Sequence, residues 1–247
     1  MRVDMRYINL DDLLRKRNRW GHSQELWKNK TLKKDFRDYF HNKCWYTEVI
    51  LVGQDALIDH FRPKKEVKQF ERYRYNAPLE HCGYYWLAND PQNYRLCCVY
   101  ANRKTGEGGK ECFFPLTDDS ALLTEGGPED ERPLLLDPCK EEDVKLISFM
   151  GSRVVSVSSE PANTIRVEVS KKVYNLENPY IKAERIKVWN EVEKIIEEYQ
   201  SGERLLLSCR RRLREISDRR AQFSACAIAC INSLAPEILK EDLDLTL

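Results

Sequence analysis

The spacing of apolar residues changes character several times along the chain. From Asn9 to Trp20 and from Leu32 to Phe40 the apolar positions (Leu10, Leu13, Leu14, then Leu32, Phe36, Tyr39, Phe40) recur every three to four residues, predicting two helices. Thr31 reads as the N-cap of the second. After Cys44 the runs become short and β-like. Val49-Ile-Leu-Val52 and Ala56-Leu-Ile58, separated by Gly53-Gln-Asp55, predict a hairpin. Pro63 lacks the N–H a ladder needs and stops the second strand just past Asp59 and His60.

Tyr84 to Leu87 is too apolar for a surface loop and is expected to pack beneath the chain's chemistry, with Trp86 in a structural role. Tyr94 to Tyr100 reads as a strand passing into a turn. Gly106, Gly108 and Gly109 make a flexible loop ending in Lys110. Acidic residues, prolines and paired glycines mark 117–143 as a surface excursion, from which Leu134 to Leu136 returns to the core. Alternation in Val144–Met150, Val154–Val157 and Thr164–Val169 predicts a small antiparallel sheet. From Ile181 the period is helical, with Ile186, Trp189, Val192, Ile196 and Tyr199 in one stripe. Two more helices follow, Leu205–Ile216 and Phe223–Leu234, the last closed by Pro236.

A chain of 247 residues has room for one large domain or a small catalytic domain with a helical appendage. No run of apolar residues is long enough to span a bilayer, and the opening Met-Arg-Val-Asp-Met-Arg is no signal peptide, so a cytoplasmic location with no membrane partner is expected. Nine cysteines, an odd number, read as free thiols. A formal net charge of +1 means that any nucleic-acid surface must be local. Arg15, Lys16, Arg17 and Arg19 offer either a solvated face or phosphate contacts. The segment carrying Arg62, Lys64, Lys65, Lys68, Arg72 and Arg74, with Phe70, Tyr73 and Tyr75 interleaved, suits phosphates and unpaired bases, or is a soluble loop with tucked aromatics. Asp118, Asp119, Glu129, Asp130 and Glu131 lack regular ligand spacing and read as solvated.

Asp59 and His60 at the end of a strand, followed by Asn93 and by Asn102 at the start of a helix, make a metal-and-base set suited to phosphodiester hydrolysis. The strings around them, Cys44-Trp-Tyr-Thr-Glu48, Ile58-Asp-His-Phe-Arg-Pro-Lys64, Tyr85-Trp-Leu-Ala88, Asn93-Tyr-Arg-Leu-Cys-Cys98, Gly108-Gly-Lys110, Phe114-Pro-Leu116 and Leu134-Leu-Leu-Asp-Pro-Cys139, come in one order. That ordered set resembles the HNH endonucleases of the PtuB type, nuclease subunits of Septu and retron-linked Septu antiphage systems. The resemblance continues through Thr164-Ile-Arg166 and the helix holding Arg185. It implies an α+β fold: a ββα-metal core over 44–116, preceded by a helical segment (1–43) and followed by an acidic loop and small sheet (117–178) and a C-terminal helical region (179–247).

On that resemblance His60 is the general base, and Asp59 and Asn102 hold one Mg2+ or Mn2+ ion. Asn93 steadies the loop that carries the base. Arg62, Lys64, Lys65, Arg103 and Lys104 are the candidate phosphate contacts. Asp59 and His60 can face one site only if the strand ends or bends there. Paired CxxC motifs bind structural zinc in the wider HNH pattern; here Cys44-Trp-Tyr-Thr47 and Cys98-Val-Tyr-Ala101 each keep one thiol, so structural zinc is not expected. The implied partners are an ABC-type ATPase of the PtuA kind, a DNA or transfer RNA substrate, and a retron reverse transcriptase with its DNA product. The helices from Ile181 onward, Phe223–Leu234 above all, are candidate docking surfaces for the ATPase, and a chain cut near Asn178 is expected to lose it. The competing reading is a catalytically silent nucleic-acid-binding or scaffolding subunit that keeps only the fold.

Overall fold

The computed structural model describes residues 6–53, 56–68, 82–104, 108–117, 125, 131–241, 243 and 245. In chain order these carry α1 (Leu10–Leu14), α2 (Lys30–Tyr39), β1 (Leu57–His60), β2 (Tyr94–Cys97), α3 (Val99–Asn102), α4 (Glu141–Val144), β3 (Ile147–Met150), β4 (Arg153–Ser156), α5 (Pro161–Val173), α6 (Pro179–Gln200), α7 (Leu206–Ser217), α8 (Ser224–Leu234) and α9 (Glu237–Lys240). Among the described residues the fold is mixed α and β, with two two-stranded antiparallel sheets, β1–β2 and β3–β4.

The first predicted helix is shorter than its pattern: α1 stops at Leu14 and Arg17–Arg19 forms a 3-10 turn. The second begins earlier, capped by Asn29, whose side chain accepts from the Leu32 N–H, and not by Thr31. Its inner face buries Leu32 and Phe36, with Phe36 stacked on Trp45, and Asp35, which accepts from the Trp20 indole at 2.9 Å.

No hairpin joins 49–52 to 56–58. Ile50 bridges back to Lys43, Leu51 donates to the Asn42 carbonyl, and Val52 is left exposed, because the chain from 42 to 51 closes on itself in a tight loop. β1 instead finds β2, 37 residues later, in the register Leu57↔Cys97, Ile58↔Leu96, Asp59↔Arg95, His60↔Tyr94. Trp45 donates to the Leu96 carbonyl and ties the tight loop to the same strand. β2 passes directly into α3, so Asn102 stands at the end of that helix rather than its start.

Thr164–Val169 is not a strand either. Pro161 occupies the first turn of α5, where its missing N–H costs nothing, and Val167, Val169, Ser170 and Val173 are buried. The Ser170 hydroxyl accepts from the Leu136 N–H, so the helix packs on the returning Leu134–Leu136 segment, itself buried. The sheet predicted there reduces to β3–β4.

α6, α7 and α8 follow the predicted periods and share one apolar cluster that includes Trp189, Val192, Leu213, Cys226, Cys230 and Ile231. From Ser224 to Ile231 α8 is buried on every side, against α6, α7 and β3, and so offers no free apolar face to a partner along that stretch. Its first turn meets the tight loop: Lys43, fully buried, donates to Glu48, the Ala221 carbonyl and Ser224, while Glu48 accepts from Ser224 and the Ala225 N–H. A carboxylate at a helix N-terminus is favourably placed by the helix dipole. Among the described residues no helix is long and apolar enough to cross a membrane.

Candidate active site

β1 runs through both Asp59 and His60, so the bend expected between them is absent and the two side chains diverge to opposite faces. On one face Asp59, only 4% exposed, accepts from Tyr46 Oη at 2.7 Å through Oδ2 and from Lys110 Nζ at 3.1 Å through Oδ1. Tyr46 stacks on Tyr174 with ring centroids 4.0 Å apart. Burial pushes the Asp59 carboxyl above the ordinary carboxylate range, although Lys110 and Tyr46 pull against it.

On the other face the His60 ring meets the rings of Trp27 and Tyr94 edge-on. Its Nε2 lies 3.0 Å from the Ala88 carbonyl, which can only accept, so Nε2 carries the hydrogen and Nδ1 keeps its lone pair. Burial lowers the His60 pKa to about 4, opposed by the Ala88 carbonyl and assisted by Lys64 and Lys110. The imidazole is therefore neutral at pH 7.

Asn93 grips the segment that follows. Its Oδ1 accepts from the Arg62 N–H at 2.7 Å and its Nδ2 donates to the Arg62 carbonyl at 2.9 Å, while its own carbonyl accepts from Phe61. This side chain continues the β1–β2 ladder where the strand has ended.

Asn102 is half-buried at the end of α3, and its carbonyl accepts from the Glu111 N–H. Beside it Lys110 donates its N–H to Ala101, and its ammonium reaches Asp59 and, at 2.7 Å, the His60 carbonyl. Lys110 therefore joins β1 to the last turn of α3. Two glycines permit this: a Cβ on Gly109, which has φ +117°, would fall 2.0 Å from the Arg103 carbonyl oxygen, and one on Gly108 would strike the Asn175 side chain.

The donor chemistry of Asp59 and Asn102, a carboxylate and an amide, suits a hard divalent ion. In this arrangement they do not fit one: both Asp59 oxygens are engaged, one by a fully buried ammonium. The two half-motifs at Cys44 and Cys98 also converge, with Thr47 Oγ1 3.7 Å from the Cys98 thiol, and both cysteines lie in the cluster with Trp45, Leu96 and Ala101.

The basic candidates divide. Arg62 is held by Glu131 at 2.7 Å, and Glu131, expected to be solvated, is buried and also accepts from Tyr84. Lys64 lies over the Trp27 ring, 3.3 Å from its centroid, beside His60. Lys65, Arg103 and Lys104 are exposed. Phe70, Arg72, Tyr73, Arg74, Tyr75, Gly106, Asp118, Asp119, Glu129 and Asp130 lie outside the described residues.

No protein-family model matches the chain. Over 171 residues it is 31% identical to Septu protein PtuB of Bacillus mycoides (strain KBAB4), a match covering 68% of this chain and 54% of that protein. The chain belongs to the PtuB family. It is also 26% identical over 162 residues to Septu protein PtuA of the same strain, covering 65% of this chain and 21% of that protein. It thus spans about half the length of the first relative and about a fifth of the second.

In this PtuB-family chain the neighbours of the motif are as telling as the motif. Sequence reasoning passed over Tyr46, Trp27 and Lys110, although Tyr46 and Lys110 sit inside the quoted strings. Residue type offered no signal for Trp27. For Lys110 the signal was the Gly-Gly pair, which marks a close backbone approach as readily as a flexible loop.

Proposed function

We propose that the chain is a metal-dependent HNH endonuclease, the effector subunit of a Septu-type antiphage complex restrained by a PtuA-like ABC-type ATPase. The observation that carries this reading is His60 at the end of β1: a neutral imidazole locked through Nε2 to a backbone carbonyl, with Nδ1 left to take a proton from water. Asn93 fixes the chain just beyond it, and β1, β2 and α3 follow one another as in a ββα core. Lys64 on Trp27, beside His60, is the best-placed phosphate contact, with exposed Lys65 next to it and exposed Arg103 and Lys104 directly after Asn102. Arg62, engaged by Glu131, serves the structure instead. The Mg2+ or Mn2+ ion that the resemblance implies would need Asp59 Oδ1 and Asn102, and in the present arrangement Lys110 holds that oxygen.

Substrate is DNA or transfer RNA, and a retron reverse transcriptase with its DNA product is a further candidate partner. The test is cleavage of plasmid and of transfer RNA by the chain with its ATPase, in Mg2+ or Mn2+ and in chelator. His60→Ala should lower the rate by roughly 100-fold or more, the usual worth of a positioned general base, with the fold intact by circular dichroism. Unchanged cleavage by His60→Ala removes the assignment, and no cleavage by the wild type under any condition leaves a scaffolding subunit.

A further inference from the structure

Arg185, near the start of α6, is only 1% exposed, and among the described residues no carboxylate pairs with it. Its Nη1 and Nη2 donate to the Ser152 and Leu176 carbonyls at 2.8 and 3.1 Å, and its Cζ lies 5.1 and 5.6 Å from the Phe149 and Phe223 ring centroids. Its Nε–H meets no acceptor among the described residues. Burial pulls the pKa of this group down, yet a guanidinium keeps its proton at any pH a cell meets. Carbonyls and ring faces soften the cost of the buried charge without cancelling it.

The same side chain lines a cavity of about 60 Å3 between the tight loop, the β3–β4 sheet and α6. A second buried donor without an acceptor, Trp45 Nε1, belongs to a residue that lines it too. Three carboxylates also reach the cavity, but each already has its cation: Glu48 has Lys43, Asp137 has Arg95 and Asp143 has Arg166. Arg6 completes the charged lining and donates to the Ile147 carbonyl at 2.7 Å. The charge left over is that of Arg185.

We propose that this cavity binds a small monovalent anion of the halide class, which accepts from Arg185 Nε and Trp45 Nε1 and supplies the counter-charge that Arg185 lacks. One uncompensated positive charge calls for one negative charge. A buried water needs about 10–15 Å3 of such space, so the cavity admits a halide but has no room for a nucleotide. Water would satisfy the two donors equally well, but it brings no charge. Because the donors sit on the tight loop and on α6, the anion ties these elements together and couples folding stability to its own concentration. Nothing in this depends on the nuclease reading.

The test is urea unfolding of the full chain in sodium chloride from about 1 to about 100 mM, with sodium gluconate, whose anion is too large for the cavity, holding ionic strength constant. Above the dissociation constant, each tenfold rise in chloride should raise the folded-to-unfolded ratio about tenfold, as release of one anion on unfolding requires. Arg185→Met should lose this dependence. Trp45→Phe, which keeps a ring but not the N–H, should need roughly tenfold more chloride for the same gain. A wild type whose stability ignores chloride overturns the proposal, as does the same chloride dependence in folded Arg185→Met; an unchanged requirement in Trp45→Phe overturns the two-donor site. Should Arg185→Met fail to fold, crystals of the wild type grown in sodium bromide decide. An anomalous bromine peak within hydrogen-bond reach of Arg185 Nε supports the site, and ordered water alone there overturns it.

Discussion

Arg95 on β2 meets Asp137 through two parallel bonds of 2.7 and 2.6 Å and spends further donor capacity on the Gln92 and Tyr94 carbonyls, whereas Lys110 meets Asp59 through one bond of 3.1 Å. Both pairs are buried, one on each of two paired strands in which Asp59 and Arg95 are register partners. Burial alone would raise the Asp137 carboxyl, but Arg95 outweighs it and holds the group below its ordinary value; Asp59 stays raised. A planar guanidinium that matches both carboxylate oxygens makes a fixed joint, while a point charge on a flexible stem makes one that can be released. The difference separates a bidentate pair from one held by a single bond.

The largest test of that contrast is Asp137→Ala. It strands a buried guanidinium and should cost about 3–5 kcal/mol in urea unfolding, since breaking a buried pair from one side leaves a charge without compensation. A cost under about 1 kcal/mol would show that the Arg95 joint is not structural.

Acid sharpens the comparison from the other side of β1. A histidine whose folded pKa is about 4 against an ordinary 6.5 binds its proton more readily unfolded, so stability is retained above 6.5 and lost as pH falls towards 4. The full loss is about 3 kcal/mol, and the added charge would stand beside Lys64 and Lys110, where cations are already in surplus. His60→Gln should flatten the stability–pH curve between those values; a curve parallel to wild type would count against a depressed His60. The smallest effect belongs to Tyr46→Phe, which removes one of two donors to Asp59. It should cost about 1 kcal/mol, and Lys110 should remain protected from acetylation. Lys110 exposed by that change would mean that the hydroxyl, not the ammonium, holds the carboxylate.

Periodicity found α6, α7 and α8 within a residue or two because long amphipathic or wholly apolar stretches have few ways to be buried. It failed where a local pattern was overridden from afar. Val49–Val52 has strand composition but folds back on Lys43, and the true partner of β1 lies beyond Tyr84–Asn93, past reach of any local rule. Thr164–Val169 alternates as a strand does, yet Pro161 starts a helix whose burial pattern is set by Leu134–Leu136. Asp59, His60, Asn93 and Asn102 could be named as candidates because residue type and order are readable without coordinates. Lys110, Glu131 and Arg185 were not: sequence assigns charged residues to water, and only the fold shows which of them have a buried partner.

The contact among Lys43, Glu48 and Ser224 bears on how the protein is made. It closes a loop of 181 residues between Lys43 and Ser224, and contacts of such separation form late because closure entropy must be met first. On the ribosome the tight loop around Cys44 must wait, its lysine and glutamate still hydrated, until the first turn of α8 has emerged. A chain ended near Asn178 would keep that loop waiting permanently, so loss of a partner by such a fragment would report incomplete folding rather than a missing docking surface.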